Sequence, residues 1–81
     1  MNVIGDRIKT RRVALGMSQM SLAVAIGSNP TQISRYERGE NEPTVRVVVA
    51  LANALKTSSD YLLGLTDDPA PRNEWADHST V

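Results

Sequence analysis

The stretch from Ser18 to Arg38, SQMSLAVAIGSNPTQISRYER, constrains the chain most, because it holds two helix starts and a helix stop within about twenty residues. Ser18 is a good N-cap, since its hydroxyl accepts a backbone N–H that the first helical turn leaves free. Gly27 closes that helix, and Gly27-Ser28 forms the turn. Asn29 is the next N-cap, Pro30 takes the first helical position, and Gln32 stands three residues after the cap, as in a capping box. Two short helices joined by a tight turn follow. Leu22 and Ile26 make the inward face of the first, with Ala23 and Ala25 allowing close approach. On the second, Ile33 and Glu37 lie one turn apart on the inward side with Tyr36 flanking. Thr31, Arg35 and Arg38 share the outward side, and Ser34 lies beside them.

Either side of this pair, the pattern remains helical. Residues 3–15 place Ile4, Ile8 and Leu15 at helical spacing, with Gly16 as the stop. Arg12 falls on the same inward stripe, where an unpaired charge is costly. Glu37 is the inward carboxylate that it needs, so a buried or half-buried Arg12–Glu37 ion pair is expected to lock the first helix to the third. Lys9 and Arg11 lie off the stripe and are expected to reach solvent. Residues 39–43 form a loop, and Thr44 caps a fourth helix running through Leu55. Val45, Val48, Val49, Ala52 and Leu55 are assigned to the core; Val47, Ala50 and Ala54 fall on the other side, so this helix is apolar nearly all round. Ser58 caps a short fifth helix from Ser59 to about Leu63, with Asp60 favourably placed in its first turn. Tyr61, Leu62 and Leu65 continue the apolar surface. The expected organisation is one all-α domain over residues 1–65 and an acidic, mobile or loosely packed tail over 66–81. Within that tail Trp75 is a lone aromatic able to dock into a groove, while His78, near Asp77 and Glu74, reads as solvated and not as a metal ligand.

Composition narrows the functional classes. With 81 residues and 41% hydrophobic content, a single small domain buries only about 60–65% of its unfolded surface and benefits from dimerisation. The chain has no cysteine and one histidine, which leaves neither a disulfide framework nor a thiolate metal site. With no phosphate-cradling glycine loop either, no enzyme, cofactor or metal is expected. No run approaches membrane-spanning length and the first ten residues lack a signal-peptide core, so a cytoplasmic protein without membrane contact is expected. Net charge is zero, but residues 1–40 carry six basic and three acidic groups and residues 41–81 carry three and six. A basic first half suits phosphates. Gln19 falls in the first turn of its helix, where its amide and the free N–H groups can hold a phosphate. The outward hydroxyl, amide and guanidinium groups of the next helix are the kinds that read base edges. Met20 and Val24 lie on the outer side of the first helix of the pair, either as scattered surface apolars or as a contact for another protein.

Residues 4–65 resemble the helix-turn-helix domain of the phage repressor/Cro (XRE) family. The resemblance rests on Arg7 to Arg12, Gly16-Met17-Ser18-Gln19, Leu22-Ala23, Ile26-Gly27, Ile33 to Gly39, Pro43 and Asp60-Tyr61-Leu62-Leu63. It implies a five-helix lambda-repressor-like DNA-binding domain that binds a two-fold operator on double-stranded DNA as a homodimer, most often as a repressor. Carried over by position, Pro30, Thr31, Gln32 and Arg35 are expected to read bases. Gln19, Asn29, Ser34 and Arg38 are expected at phosphates, and Arg12 and Glu37 correspond to the family's internal ion pair. The expected dimer seam is Val47, Ala50, Ala54, Ser59, Leu62 and Leu65, unless that surface packs against the Trp75 tail. Two departures stand out. Ser21 replaces the glutamate that often completes a capping box, which implies a less firmly started helix, and Pro30 offers no side-chain hydrogen bond. The alternative reading is an antitoxin or protein-interaction module on the same fold, motivated by Met20, Val24, the zero net charge and the acidic tail.

Overall fold

The computed structural model describes residues 3–71, which form five helices: α1 (Val3–Ala14), α2 (Gln19–Ile26), α3 (Pro30–Arg38), α4 (Val45–Ala54) and α5 (Ser59–Leu62). No strand occurs among the described residues. Trp75, His78, Asp77 and Glu74 lie outside them. Four side chains start helices as their sequence positions predict. Ser18, Asn29, Thr44 and Ser58 accept from the backbone N–H of Ser21, Gln32, Val47 and Tyr61, satisfying donors that the helix itself leaves unpaired. Ser21 also pairs its hydroxyl with that of Ser18 at 2.9 Å, so a short polar contact stands where the family often has glutamate.

All five helices end in one backbone reversal. A residue with positive φ follows the helix, its N–H bonds back to the carbonyl three residues earlier, and the next N–H bonds to the carbonyl five residues earlier. Glycine occupies the left-handed position at Gly16, Gly27, Gly39 and Gly64. After α4 the position falls to Lys56, at φ 53°, where a β-carbon is strained. Arg11 reaches this turn, donating to the carbonyl of Leu55 at 3.1 Å and to that of Lys56 at 3.2 Å. It does not project into solvent as its place off the apolar stripe suggests.

The helices close into a ring around one core: α1 packs on α3, α3 on α2, α2 on α4, α4 on α5, and α5 back on α1. Each contributes at least one fully buried side chain, namely Ile8, Leu22, Ile33, Leu51 and Leu62, with Leu55 joining just after α4. Burying a side chain of this size stabilises by about 1.5–3 kcal/mol. The ring corrects four expectations. Leu15 is not on the core stripe, because α1 ends at Ala14 and Leu15 lies in the reversal, 37% exposed. Val45 and Val49 face outward; the true stripe of α4 and its end is Val48, Leu51, Ala52 and Leu55, and it includes a leucine that the sequence reading passed over. Leu62 has no surface to offer a second copy, since it is fully enclosed in the core.

The first residues of the expected tail are bonded to the domain. The Arg7 guanidinium lies 4.4 Å from the centre of the Tyr61 ring, a cation–π contact. Its Nη1 donates to the carbonyls of Tyr61 and Thr66, and its Nη2 donates to Asp67 Oδ1 at 2.8 Å. Thr57 Oγ1 donates to the carbonyl of Pro69 at 2.6 Å. Packed structure therefore continues beyond Leu65, through residues 66–69. No helix among the described residues is long and apolar enough to cross a membrane.

Candidate nucleic-acid interface

The two sides of α3 differ in chemistry. Ile33, Tyr36 and Glu37 are buried, while Thr31, Arg35 and Arg38 are exposed on the opposite side. Pro30, Gln32 and Ser34 are half-buried flanks. Asn29 Oδ1 accepts the Gln32 N–H at 2.9 Å, which employs its side chain in starting the helix. Arg35 makes no hydrogen bond or ion pair among the described residues. Arg38 bonds the Ser34 carbonyl at 3.4 Å and pairs with Glu40 at 3.3 Å. Both side chains of that pair are about half exposed, so it contributes little and is easily exchanged for another anion.

Beneath this surface, Glu37 joins three helices. Its Oε2 accepts from Arg12 Nε at 2.6 Å and its Oε1 from Arg12 Nη2 at 3.1 Å, a two-pronged pair between α1 and α3. Arg12 Nη1 bonds the carbonyl of Met17 at 2.9 Å, fixing the approach to α2. The pair expected from periodicity is present, with both side chains largely removed from solvent. Hydrogen bonding to Glu37 raises the Arg12 pKa above its ordinary value, against the opposing effect of burial. A raised folded-state pKa adds stability that is complete below the ordinary arginine range and lost only above it, so the Arg12 guanidinium stays charged at any working pH.

Glu37 also governs Gln19. The Gln19 amide Nε2 donates to Glu37 Oε1 at 3.2 Å, so this first-turn residue is held from below by the buried ion pair. Its second amide hydrogen and its oxygen have no partner among the described residues, beside the start of α2. Gln32 departs from the capping-box expectation: its side-chain oxygen accepts from Asn41 Nδ2 at 3.3 Å, across the reversal that follows α3. Periodicity places Asn41 only within the 39–43 loop, because a loop asparagine beyond a helix carries no signal of what it faces. Among the described residues no cluster of metal-ligating side chains occurs.

Comparison with known proteins matches residues 8–62 to the helix-turn-helix family. This chain belongs to that family, in its phage repressor/Cro (XRE) branch. The helix-turn-helix chain is 41% identical over 61 residues to repressor protein C2 of Salmonella phage P22, covering 75% of itself and 28% of that protein. It is 38% identical over 68 residues to the HTH-type transcriptional regulator DicA of Escherichia coli, covering 84% of itself and 50% of DicA. The chain thus spans half or less of the length of these two relatives. Among solved structures it superposes on the P22 c2 repressor in complex with a synthetic operator, with a TM-score of 0.71 and 40% identity over 74% of this chain and 91% of that one. The five-helix arrangement is the fold that this helix-turn-helix family predicts.

Proposed function

We propose that this chain is a cytoplasmic, sequence-specific DNA-binding transcriptional regulator, a repressor that places α3 in the major groove of a two-fold operator. The observation that carries the reading is the division of α3: a side anchored by Ile33, Tyr36 and Glu37, and a side presenting Thr31, Arg35 and Arg38 to solvent. At the start of the helix, half-buried Pro30 and exposed Thr31 suit apolar or hydroxyl contact with a thymine edge. Arg35 has the donor pair that guanine accepts, and Gln32 flanks them. Gln19 at the start of α2, and Ser34 and Arg38 along α3, are placed for phosphates. Asn29 reaches a phosphate only with what its capping bond leaves free. The names of the P22 and E. coli relatives support a repressor or regulator over an antitoxin.

One such domain makes few base contacts, and a homodimer reading half-sites one helical turn apart (~34 Å) gains both affinity and specificity. With Leu62 withdrawn, the surface offered for a second copy is Val47, Ala50, Ala54, Ser59 and Leu65. Leu65 is 74% exposed. Met20 and Val24, 56% and 72% exposed, favour a protein contact on the outer face of α2 as a second reading.

A gel shift on DNA from upstream of the protein's own coding region, repeated across salt, tests the proposal. Log affinity is expected to fall linearly with log salt, by about 0.9 per phosphate neutralised. Absence of a shift at every salt concentration would remove the DNA-binding reading. Ultracentrifugation at micromolar concentration, without and with operator DNA, tests the seam: a protein monomeric under both conditions would remove it.

A further inference from the structure

We propose that Glu37 is a positioning residue for contact with the DNA backbone: its buried carboxylate fixes the Gln19 amide at the start of α2, with one N–H left to donate to a phosphate. This deepens, and rests on, the reading of Gln19 as a phosphate-contacting residue.

Chemistry settles which end of the amide meets Glu37. A carboxylate only accepts, so the Gln19 nitrogen, and not its oxygen, faces Glu37 Oε1 at 3.2 Å. The acceptor cannot swing away, because Arg12 holds both of its oxygens, Oε2 through Nε at 2.6 Å and Oε1 through Nη2 at 3.1 Å. Nor does water compete for it, since the Glu37 side chain is only 4% exposed. Arg12 in turn bonds the carbonyl of Met17, two residues before Gln19, at 2.9 Å. Backbone and side chain at the head of α2 are thus tied to one guanidinium–carboxylate unit.

The amide nitrogen carries two hydrogens, and Glu37 takes one. The other makes no bond among the described residues. Beside it, the Ser18 cap satisfies the Ser21 N–H and leaves those of Gln19 and Met20 without an intrahelical acceptor. Donors gathered at a helix start suit a phosphate. A bare carboxylate beneath them would repel that phosphate, and the two-pronged Arg12 cancels its charge. The gain is preorganisation. Ordering a free, rotamer-rich side chain on binding lowers affinity by a factor of about two to ten; here folding has already ordered it. Because Glu37 lies two residues after Arg35 on α3, the same bond holds the backbone contact in register with the base-reading side chains.

DNA from upstream of the protein's own coding region, carrying one neutral methylphosphonate at a time, reads each backbone contact separately from base recognition. The wild-type protein is expected to lose affinity at one phosphate per bound copy of the chain, and Gln19→Ala to show a smaller loss there. The carboxylate is removed together with its cation, as Arg12→Met with Glu37→Leu, because replacing both members of a buried pair by apolar residues is often neutral for stability. In that double variant the loss at the Gln19 phosphate is expected to shrink by about two- to tenfold while the other phosphates keep theirs. A merely structural role for Glu37 weakens every contact alike or none, and either result overturns the inference. So does a map in which Gln19→Ala changes no phosphate. Nitrogen-15 relaxation of the Gln19 side-chain amide in the free wild-type protein is a second measurement, and it decides alone should the double variant unfold. An order parameter near that of rigid backbone, about 0.85, is expected, and a value below about 0.6 overturns the inference. Failure of the wild-type protein to bind any DNA would overturn the DNA-binding reading itself, and is told apart by that.

Discussion

Arg7, Arg11 and Arg12 on α1 donate to the carbonyls of Tyr61, Thr66, Leu55, Lys56 and Met17 and to the carboxylates of Asp67 and Glu37. Arg35 on α3 donates to no described residue, and Arg38 holds only an exposed pair with Glu40 and a long bond to the Ser34 carbonyl of its own helix. The two groups are the same chemical function in opposite employment. On α1 the five fixed donors of each guanidinium collect chain segments brought together by folding: the start of α2, the end of α4, the end of α5 and the strap at residues 66–69. On α3 the donors are left open. The basic excess of the first forty residues is thus a poor measure of the charge available to phosphates, since half of its six cations are engaged inside the fold. A charge count assigns a sign to a region, but not a direction.

The contrast is easiest to break at Arg12. Replacing it by alanine leaves the Glu37 carboxylate buried without its cation, which costs about 3–5 kcal/mol. The thermal midpoint is expected to fall by well over ten degrees, because each kcal/mol moves a domain of this size by about 4–8 °C. A midpoint within error of wild type would dissolve the distinction between the two groups. Arg35→Ala is the reciprocal case. Its melting curve should match wild type to within about 0.5 kcal/mol, while its affinity for the cognate operator falls by about 1–3 kcal/mol and its sequence discrimination relaxes. Equal losses on cognate and random DNA would transfer Arg35 from bases to phosphates. The smallest effects sharpen the role of Arg11. Urea unfolding of Arg11→Ala should show a loss of about 1 kcal/mol from the carbonyls at the end of α4. Lys56→Gly should gain up to about 1 kcal/mol by relieving the left-handed backbone there. If Lys56→Gly destabilises instead, the turn is held by the lysine side chain and not merely tolerated.

What the sequence made legible was local chemistry. The four N-caps could be read because a hydroxyl or amide side chain beside a free backbone N–H is a contact between near neighbours. The two sides of α3 could be read because polar and apolar residues alternate there with the helical period. Even the Arg12–Glu37 pair was accessible, as two inward charges of opposite sign have few alternatives. The misreadings share a cause. Around α4 nearly every residue is apolar, so periodicity cannot choose a face: it assigns Val45 and Val49 to the core and leaves Leu51 out. Arg7 and Arg11 escaped because their acceptors are mostly backbone carbonyls more than forty residues away, and every residue has a carbonyl. Local spacing leaves Leu62 at the surface, because the closure between α5 and α1 that encloses it is a long-range contact. In the candidate interface, the outward residues of α3 followed from spacing, whereas the links from Glu37 to Gln19 and from Asn41 to Gln32 needed the chain reversals to become visible.

Those reversals bear on how quickly the molecule comes together. Each of the five helices is closed at its C-terminal end by bonds spanning three and five residues, and four are opened by a side chain three residues from its target. A segment whose boundaries are written so locally has little to search for before it exists. The ring of packing contacts then joins short rods in place of threading long loops, the condition under which helical domains fold in microseconds to milliseconds.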